Sequence, residues 1–447
     1  MKAALALALA AQFPGSGLSQ LSGPPSGSPV ISQDKRFARL VAFESGGDIV
    51  AVHRADGYGE NGSPWHPGGR ELVSAGLGGA PADGPSSAPA VDGTSRVAPH
   101  CVAFVSAASN LVRGDTNGKP DAFVRDLRTG TTRRVSVDAR GRQSSGTVTE
   151  VAIDGLCRRV AFVSDATDLA LRKTRNRSWK TAVTRANLPG RRQVYVRMFG
   201  GRTGIDRALK GLTFLASATD RGRPGLGESH SVAFATNGER VTFASEAGNL
   251  SARDGNGSAD IYQRVMSRRY GKRVHGRSVQ YLRMDTRLVS ARPDGRAGRG
   301  PSLQPASSVD GRVVAFTTFS SDLVPRDGPS QIARADTSGT RPRITLASSS
   351  GRGEPGNGAS GAPSLTAAGS WVAFESDATN VSVTSARQPD GNGVRDAILA
   401  TEPSGDRWLL GEDGASVPTT NPVLSAHGNY VVFERDGRVD LLYVGPK

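Results

Sequence analysis

Three short loops combine side chains that suit the binding of a hard cation. The pattern Asp-x-Asn-Gly-x-x-Asp occurs three times, and carboxylate and amide oxygens are the ligands that Ca²⁺ takes, at about 2.3–2.6 Å. The pattern is shorter than an EF-hand loop and lacks a central acidic residue and a late bidentate glutamate. The candidate ligands are Asp115, Asn117 and Asp121; Asp254, Asn256 and Asp260; and Asp390, Asn392 and Asp396.

A structural alternative explains the same loops without a metal. Asn-Gly pairs form tight turns, and the last Asp of the pattern can accept backbone hydrogen bonds at the start of a following strand. The sequence therefore leaves two predictions for cofactors, which are none, or calcium held by these loops. Under the calcium prediction, all three loops lie on the same side of the molecule.

Two arginine-rich segments are candidates for anion binding. The segment from Leu169 to Ile205 has no acidic residue, and the segment from Gln263 to Arg283 interleaves basic residues with two tyrosines. Such stretches can hold phosphates or single-stranded nucleic acid. The candidate residues are Arg172, Lys173, Arg175 and Arg177 in the first segment and Arg268, Arg269, Lys272 and Arg273 in the second.

The overall charge does not identify a partner by itself. The net charge is +15, most of it from arginine, and a nucleotide bias of the genome would produce this without any partner. The two basic segments should also emerge on opposite sides of the fold, because they join different pairs of strands. Nucleic acid is therefore not the expected partner. An anionic surface or polymer stays open, beside the plain alternative of solvated loops.

No catalytic set can be recognised from the spacing of residues. The six histidines are scattered, without an H-x-x-x-H pair or a Cys/His cluster of metal-site spacing. There is no G-x-S-x-G motif for a hydrolase nucleophile. We therefore expect a protein that is not an enzyme. A polysaccharide lyase or hydrolase with scattered residues in a central channel remains the alternative.

A repeated apolar pentad organises the whole chain. Its copies are separated by 58 to 81 residues, as expected for a repeat architecture with loop insertions. The clearest repeat, from Ser87 to Val137, has four short apolar segments separated by turn residues and no helical period. Four antiparallel strands per unit indicate a β-propeller blade. The pentads begin at Val41, Val102, Val160, Val241, Val314, Val372 and Val431.

The repeats resemble the TolB-type propeller repeats of exported bacterial proteins. The shared pattern is S-x-x-P-x-(I/V)-S-x-D-G-x-x-V-A-F-x-S, followed by D-x-F-V-x-D-L-x-T-G, and it covers roughly Ser28 to Val444. The resemblance implies an all-β propeller and an exported protein. It implies little about activity, because such propellers are scaffolds for unrelated tasks.

Seven pentads predict seven blades, with six blades plus a displaced unit as the alternative. The last repeat is one strand short, so we expect Leu18–Leu21 to complete it as an outer strand beside Val439–Val444. A ring closed by both termini removes exposed sheet edges. The predicted domains are a signal-like or disordered segment, residues 1–17, and a single propeller, residues 18–447.

The N-terminus and the cysteines are the features that relate to the cellular compartment of the protein. Met1-Lys2 and the alanine-rich stretch to Ala11 are similar to a short signal peptide, whereas the alternative is a disordered tail. No apolar run approaches the length of a membrane helix. Cys101 and Cys157 should start equivalent strands of adjacent blades, too far apart for a disulfide, so we expect free thiols; a disulfide is the alternative.

Together these features predict a non-enzymatic, TolB-like propeller outside the cytoplasm, in the periplasm or secreted. We expect a monomer that binds a protein or an envelope polymer through one rim.

Overall fold

The described residues form seven four-stranded antiparallel sheets. The computed structural model describes residues 17–34, 37–55, 65–169, 190–200, 210–274, 277–381, 392–401, 405–410 and 417–444. Within these ranges the single helical element is a 3₁₀ turn at Leu77–Gly79, and no helix is long and apolar enough to cross a membrane. The all-β prediction is confirmed.

Blades 1 to 4 follow one another along the chain. Blade 1 contains β2 (Ser26–Ile31), β3 (Leu40–Ser45), β4 (Asp48–Arg54) and β5 (Pro67–Leu72). Blade 2 contains β6 (Ser86–Val91), β7 (Cys101–Ser106), β8 (Asp121–Asp126) and β9 (Thr131–Arg134). Blade 3 contains β10 (Val148–Ile153), β11 (Arg159–Ser164), β12 (Gln193–Met198) and β13 (Thr213–Leu215). Blade 4 contains β14 (Ser229–Phe234), β15 (Arg240–Ser245), β16 (Asp260–Val274) and β17 (Arg277–Leu288).

Blades 5 to 7 complete the ring, and the last one uses both ends of the chain. Blade 5 contains β18 (Ser302–Ser307), β19 (Val313–Thr318), β20 (Gln331–Asp336) and β21 (Arg343–Leu346). Blade 6 contains β22 (Ser360–Leu365), β23 (Trp371–Ser376), β24 (Asp396–Thr401) and β25 (Arg407–Leu409). Blade 7 contains β26 (Thr419–Leu424), β27 (Tyr430–Arg435), β28 (Arg438–Tyr443) and β1 (Gly17–Gln20).

The seven sheets are arranged as a propeller. The first strand of each blade contacts the first strands of both neighbouring blades, and β26 of blade 7 contacts β2 of blade 1. The first strands therefore surround the axis, while the fourth strands lie outermost. The prediction of seven blades, rather than six, is confirmed.

The pentads form the second strands, which lie between neighbouring sheets. All six residues of β7, including Phe104, are buried. Ala103 and Val105 pack in one cluster with Val160 and Phe162 of blade 3. A sheet covered on both faces favours uninterrupted apolar strands, and each fully buried large apolar side chain stabilises the fold by about 1.5–3 kcal/mol. The contacts between blades thus follow from the repeated pentad.

Both termini contribute to blade 7, as the sequence predicts. Leu18 pairs with Leu442 and Gln20 with Asp440 in an antiparallel ladder between β1 and β28. The ladder continues where the Leu21 amide donates to the Val439 carbonyl at 2.9 Å. Leu21 is buried. The N-terminal strand therefore covers the outer edge of the last blade.

The antiparallel order gives the propeller two different rims. Loops joining second to third strands, and connections from one blade to the next, emerge on what we call the upper rim. Turns between first and second strands, and hairpins between third and fourth strands, emerge on the lower rim. At the lower rim the first turns are hydrogen-bonded across blades, for example from the Gly93 amide to the Gly155 carbonyl (3.1 Å) and from the Gly155 amide to the Thr236 carbonyl (2.8 Å).

The prediction of free thiols is wrong, because Cys101 and Cys157 form a disulfide with a Cα–Cα distance of 6.0 Å. Only Cys101 starts a second strand; Cys157 lies in the preceding turn of blade 3, with a φ of +53°. This turn lies beside the corresponding turn of blade 2, where Gly93 and Gly155 share a hydrogen bond. The two cysteines are therefore closer than equivalent strand positions would be.

Of the two basic segments, the structure describes the backbone of the second, which emerges on the lower rim. Residues 170–189 of the first segment lie outside the described residues, and the second segment belongs to β16 and β17 on the lower rim. The second segment is not a loop, because its backbone extends the two outer strands of blade 4 into a long ribbon, in which Arg269 pairs with Tyr281 and Arg273 with Ser278.

Candidate functional site

In blade 2, the predicted calcium loop already has internal partners for its carboxylates. The Gln143 side-chain amide donates to Asp115 (2.7 Å) and to Asp121 (2.8 Å). The Arg134 guanidinium lies 3.3 Å from the Asp115 carboxylate and 3.7 Å from that of Asp121. Asn117 donates its amide to Asp121 at 3.3 Å. A cationic and a neutral donor therefore occupy the space between the two acidic residues.

Blade 4 has the same loop but lacks these two partners. In blade 2, Arg134 pairs with Phe123, and Gln143 forms an isolated bridge. At the equivalent positions of blade 4, Leu288 pairs with Tyr262, and Ala297 forms the isolated bridge. The equivalent positions therefore hold apolar side chains in blade 4.

The carboxylates of the blade 4 loop are less well compensated as a result. The Tyr262 hydroxyl donates to one Asp254 oxygen, while the other oxygen is buried without a hydrogen-bond partner. Asn256 donates to Asp260 at 2.7 Å, and the Ser290 hydroxyl donates to the other Asp260 oxygen. Burial, reinforced by the Asp254 charge, raises the pKa of Asp260 to about 7.

In blade 6, Asn392 donates to Asp396 at 2.7 Å, whereas Asp390 lies outside the described residues. The Asn side chains of the three loops share one geometry: the amide nitrogen donates to the last Asp, and the oxygen accepts from the backbone amide two residues later. This is the turn-forming role that Asn-Gly sequences favour. All three loops join second to third strands and therefore lie on the upper rim.

A serine or threonine next to the last Asp of each loop was missed in the sequence. In blade 2 the Ser136 hydroxyl donates to Asp121 and accepts the backbone amide of Ala122. Ser290 does the same for Asp260 and Ile261 in blade 4. These hydroxyls attach the end of the fourth strand to the start of the third. Ser74, Ser217, Ser348 and Thr419 make the same pair of bonds in other blades.

An arginine-lined pocket opens on the upper rim beside the blade 4 loop. It has a volume of about 720 Å³, and Asp254, Asn256 and Asp294 line it together with four arginines. These arginines are Arg253, Arg292, Arg296 and Arg299.

The pocket arginines are only partly neutralised by acidic residues. Arg292 lies 3.4 Å from Asp294 and 3.6 Å from Asp322, and its Nε is buried without a hydrogen-bond partner. The Arg299 side chain is 85% exposed and lies 3.8 Å from Asp322. Because guanidinium groups bind carboxylates and phosphates through paired donors, the pocket suits an anionic ligand.

A second pocket of about 500 Å³ lies beside the first, between the outer strand of blade 4 and the hairpin that joins β20 to β21 in blade 5. It shares Arg253 with the first pocket and adds Arg287 and Arg341. Arg341 donates to the Pro293 carbonyl at 2.6 Å, which holds its guanidinium against the connection from blade 4 to blade 5. The two pockets together present six arginines along one stretch of surface.

Exposed arginines recur at the connections between neighbouring blades. Each of four connections is closed by an isolated bridge, such as Val137 with Gln143. The turn inside each bridge carries at least one exposed arginine on the upper rim. These residues are Arg140 and Arg142, Arg221 and Arg223, Arg296, and Arg352.

The arginine surface consists of other residues than the basic residues proposed from the sequence. Arg172, Lys173, Arg175 and Arg177 lie outside the described residues. The backbone of Arg268, Arg269, Lys272 and Arg273 lies in β16 on the lower rim. The arginines of the blade connections were missed, although a recurring Gly-Arg pair before the next blade, as at Gly141-Arg142 and Gly295-Arg296, was a signal available in the sequence.

Three glutamates near the upper ends of second strands contact the first strands of the following blades. Each accepts a hydrogen bond from the first strand of the next blade: Glu44 from the Ala88 amide (2.8 Å), Glu434 from the Ser28 amide (2.5 Å) and Glu375 from the Asn421 amide (3.2 Å). The Asn421 side chain also donates to Glu434 at 2.8 Å. Two carboxylates of neighbouring blades therefore share one asparagine.

These observations define the chain as a seven-bladed β-propeller with a basic upper rim. No protein-family model and no curated protein matches the sequence. Among solved structures, it is similar to TolB from Acinetobacter baumannii at 14% identity, with a TM-score of 0.39, over 92% of this chain and 66% of that one. It is also similar to a putative TolB from Agrobacterium tumefaciens at 13% identity, with a TM-score of 0.35, over 72% of this chain and 79% of that one.

Proposed function

We propose that this protein is a non-enzymatic, exported β-propeller that binds an anionic partner, a protein or an envelope polymer, through its upper rim. The observation that carries the proposal is the pocket formed by Arg253, Arg292, Arg296 and Arg299. Fixed basic groups around a concave surface concentrate anions and increase their rate of association.

The recurrence of arginine around the rim favours an extended ligand. Arg142, Arg223 and Arg352 are exposed on the connections of neighbouring blades, so basic groups continue beyond the pocket. A polymer or an acidic protein surface can contact several of these groups at once, and the combined affinity then exceeds that of any single contact.

Two features support a place outside the cytoplasm. The disulfide between Cys101 and Cys157 is of a kind that forms and persists in oxidising compartments. The first residues of the chain are similar to a signal peptide.

The proposal is tested by binding measurements with full-length protein. Arg296→Glu and Arg299→Glu change exposed side chains on the upper rim, whereas Arg128→Glu changes a side chain that is 65% exposed on the lower rim. The probes are a uronate polysaccharide, a neutral glucan of similar length and proteins from an envelope fraction.

We expect binding to the anionic probe or to an envelope protein, at least tenfold weaker in the double upper-rim variant and weaker at high salt. Arg128→Glu should bind like the wild type. Equal binding to the neutral glucan, or equal affinity in the upper-rim and lower-rim variants, would contradict the proposal.

A channel enzyme is the second candidate function, and the glutamates that contact the first strands, which surround the axis, favour it. Glu375 and Glu434 share Asn421, and paired carboxylates are the groups used in glycoside hydrolysis. Incubation with uronate and neutral polysaccharides, followed for unsaturated products and for reducing ends, tests this candidate. Activity that is lost in Glu375→Gln and Glu434→Gln would support the enzyme and displace the binding proposal.

A further inference from the structure

A cluster of metal-ligating side chains lies where blades 2 and 3 meet at the lower rim. It contains Asp92, His100, Cys101 and Cys157, and one ligand atom from each residue lies within 4.8 Å of the others. Asp92 and His100 bound the first turn of blade 2, Cys101 begins β7, and Cys157 lies in the first turn of blade 3. The upper-rim surface described above uses none of these residues.

The backbone holds the carboxylate of this cluster in place. One Asp92 oxygen accepts the backbone amides of His100 (2.7 Å) and Cys101 (2.9 Å). The other oxygen lies 2.9 Å from Nδ1 of His100. Asp92 and Cys101 are 1% exposed and His100 is 8% exposed. The Asp92 carboxylate accepts a hydrogen bond from the imidazole and raises the pKa of His100.

We propose that these four residues form a Zn²⁺ site when the disulfide between Cys101 and Cys157 is reduced. Two thiolates, an imidazole and a carboxylate are a complete tetrahedral ligand set for zinc, with bonds of about 2.0–2.3 Å. Such bonds place neighbouring ligand atoms about 3.3–3.8 Å apart. The ligand atoms are already within 4.8 Å of one another, which is close to the spacing that the site requires.

The reduction requires a dithiol as co-reactant. One thiolate of the dithiol attacks Sγ of Cys157, which is the partly exposed cysteine, and Cys101 leaves as a thiolate beside His100. The second thiol of the reductant then displaces Cys157, so two electrons pass to the protein and the reductant becomes a disulfide. Zn²⁺ then binds the two cysteine sulfurs as thiolates, and the remaining thiol protons are released.

In this scheme the same contact between blades has two alternative crosslinks. The disulfide joins blade 2 to blade 3 under oxidising conditions, and the zinc ion joins them under reducing conditions. Both hold the turns of the two blades together at the hydrogen bond between Gly93 and Gly155. The ring therefore keeps a covalent or coordinate link between these blades before and after oxidation.

The experiment measures metal retained by the full-length protein in both redox states. Protein reduced with a dithiol, and oxidised protein as its control, are loaded with Zn²⁺ or Co²⁺ without oxygen and passed over a desalting column. The variants are His100→Gln, the pair Cys101→Ser and Cys157→Ser, and His53→Gln. His53 is the matched control, because it also lies near a carboxylate, 3.3 Å from Glu71, but in blade 1 and away from the cysteines.

We expect one metal ion per reduced wild-type chain and none in the oxidised protein. Affinity should fall at least tenfold in His100→Gln and be lost in the double cysteine variant, while His53→Gln binds like the wild type. Co²⁺ in the reduced wild type should show the absorption of a tetrahedral ion with thiolate ligands. Equal retention by the oxidised protein, or unchanged affinity in His100→Gln, would overturn the proposal. A Co²⁺ spectrum of the reduced wild type without thiolate bands would also overturn the proposal, and this result does not depend on whether a variant folds.

Discussion

Asp154 shows how a single buried carboxyl makes the stability of this fold depend on pH. It lies in the first turn of blade 3, where one oxygen accepts the backbone amides of Arg158 (2.7 Å) and Arg159 (3.1 Å). Burial is the main cause that raises its pKa from the ordinary 3.8 to about 6; the Arg159 charge opposes this effect, and the nearby Asp92 charge adds to it.

The raised pKa means that the folded state holds a proton that the unfolded state has lost. Below about pH 4 the group is protonated in both states, and its contribution to stability is lost as the pH rises toward 6. The shift corresponds to about 3 kcal/mol of unfolding free energy. Asp154→Asn keeps an oxygen for the backbone amides but cannot ionise. The difference in unfolding free energy between variant and wild type should therefore grow in favour of the variant between pH 4 and pH 7.

Urea denaturation at pH 4, 5, 6 and 7 measures this difference. Asp260, whose pKa is also raised, affects wild type and variant equally and cancels in the comparison. A difference that stays constant across the range would show that Asp154 ionises in the folded protein as it does in the unfolded chain.

Contacts between individual side chains were the features that could be predicted least from the sequence. The sequence pattern located the three Asp-x-Asn-Gly-x-x-Asp loops but not the donors that bind their carboxylates. In blade 2, Arg134 lies in the fourth strand and Gln143 in the connection to blade 3, and both reach Asp115 and Asp121. The disulfide was predicted wrongly for the same reason. Its formation depends on how two turns of different blades approach, and no local pattern encodes that distance.

The loops between second and third strands are the elements in which calcium binding is tested. In each of them the Asn amide donates to the last Asp, and the Asn oxygen is used by a backbone amide. In blade 2 the carboxylates also have Arg134 and Gln143. We therefore expect thermal unfolding with millimolar Ca²⁺ and with a chelator to coincide, in the wild type and in Asp115→Ala, Asp254→Ala and Asp390→Ala.

A bound ion would produce a clear signal against this expectation. Calcium at a hundredfold excess over its dissociation constant would stabilise the fold by about 2.7 kcal/mol. A calcium-dependent increase in melting temperature that disappears in Asp254→Ala would locate a site in blade 4, where Leu288 and Ala297 take the positions of Arg134 and Gln143.

The first turns of the blades are elements that pack against one another with no spare room. A Cβ added at Gly155 would lie 2.3 Å from Cγ2 of Thr236 and 2.6 Å from the Gly93 carbonyl oxygen. We expect Gly155→Ala to lower the unfolding free energy by about 1–3 kcal/mol, as overpacking does. Gly248→Ala is the matched control, because no heavy atom lies within 4 Å of its added Cβ.

Chemical denaturation of the two glycine variants gives the comparison. Gly248→Ala should stay within about 1 kcal/mol of the wild type, and can gain stability by restricting the unfolded chain. Equal stability of the two variants would mean that the lower-rim turns can move apart without cost.

At the scale of elements, prediction from sequence succeeded where the pattern was strong. The pentads located the seven second strands, because strands covered on both faces must be continuously apolar. The outer strands were less predictable, since β13 and β25 have only three residues each. The basic segment within β16 and β17 has little apolar alternation, so its sequence favours a solvated loop, whereas its backbone forms a paired ribbon.

At the scale of the whole molecule, charge and closure arise from different parts of the chain. The net charge of +15 indicated an anionic partner only in general terms. The arginine surface on the upper rim depends on the repeat, which brings Arg142, Arg223, Arg296 and Arg352 to equivalent connections around the ring. The closure of the ring was predictable, because the last repeat lacked one strand and Leu18–Leu21 had the pattern to supply it.

Closure by the N-terminal strand leads to a prediction for the stability of the complete ring. Deleting residues 1–22 removes β1, the buried Leu21 and the Ser22 hydroxyl that accepts the Val439 amide at 2.9 Å. Loss of the Leu21 side chain alone should cost about 1.5–3 kcal/mol, and the β28 edge becomes free to pair with other chains.

Deleting residues 1–15 is the matched control, because it keeps Gly17–Gln20 and its ladder with β28 intact. We expect the longer deletion to lower the melting temperature clearly and to increase aggregation on light scattering, while the shorter one behaves like the full chain. If both deletions unfolded at the temperature of the full chain, the ring would hold without its fourth strand in blade 7. The apolar contacts of β26 and β27 with blades 1 and 6 would then be sufficient for closure.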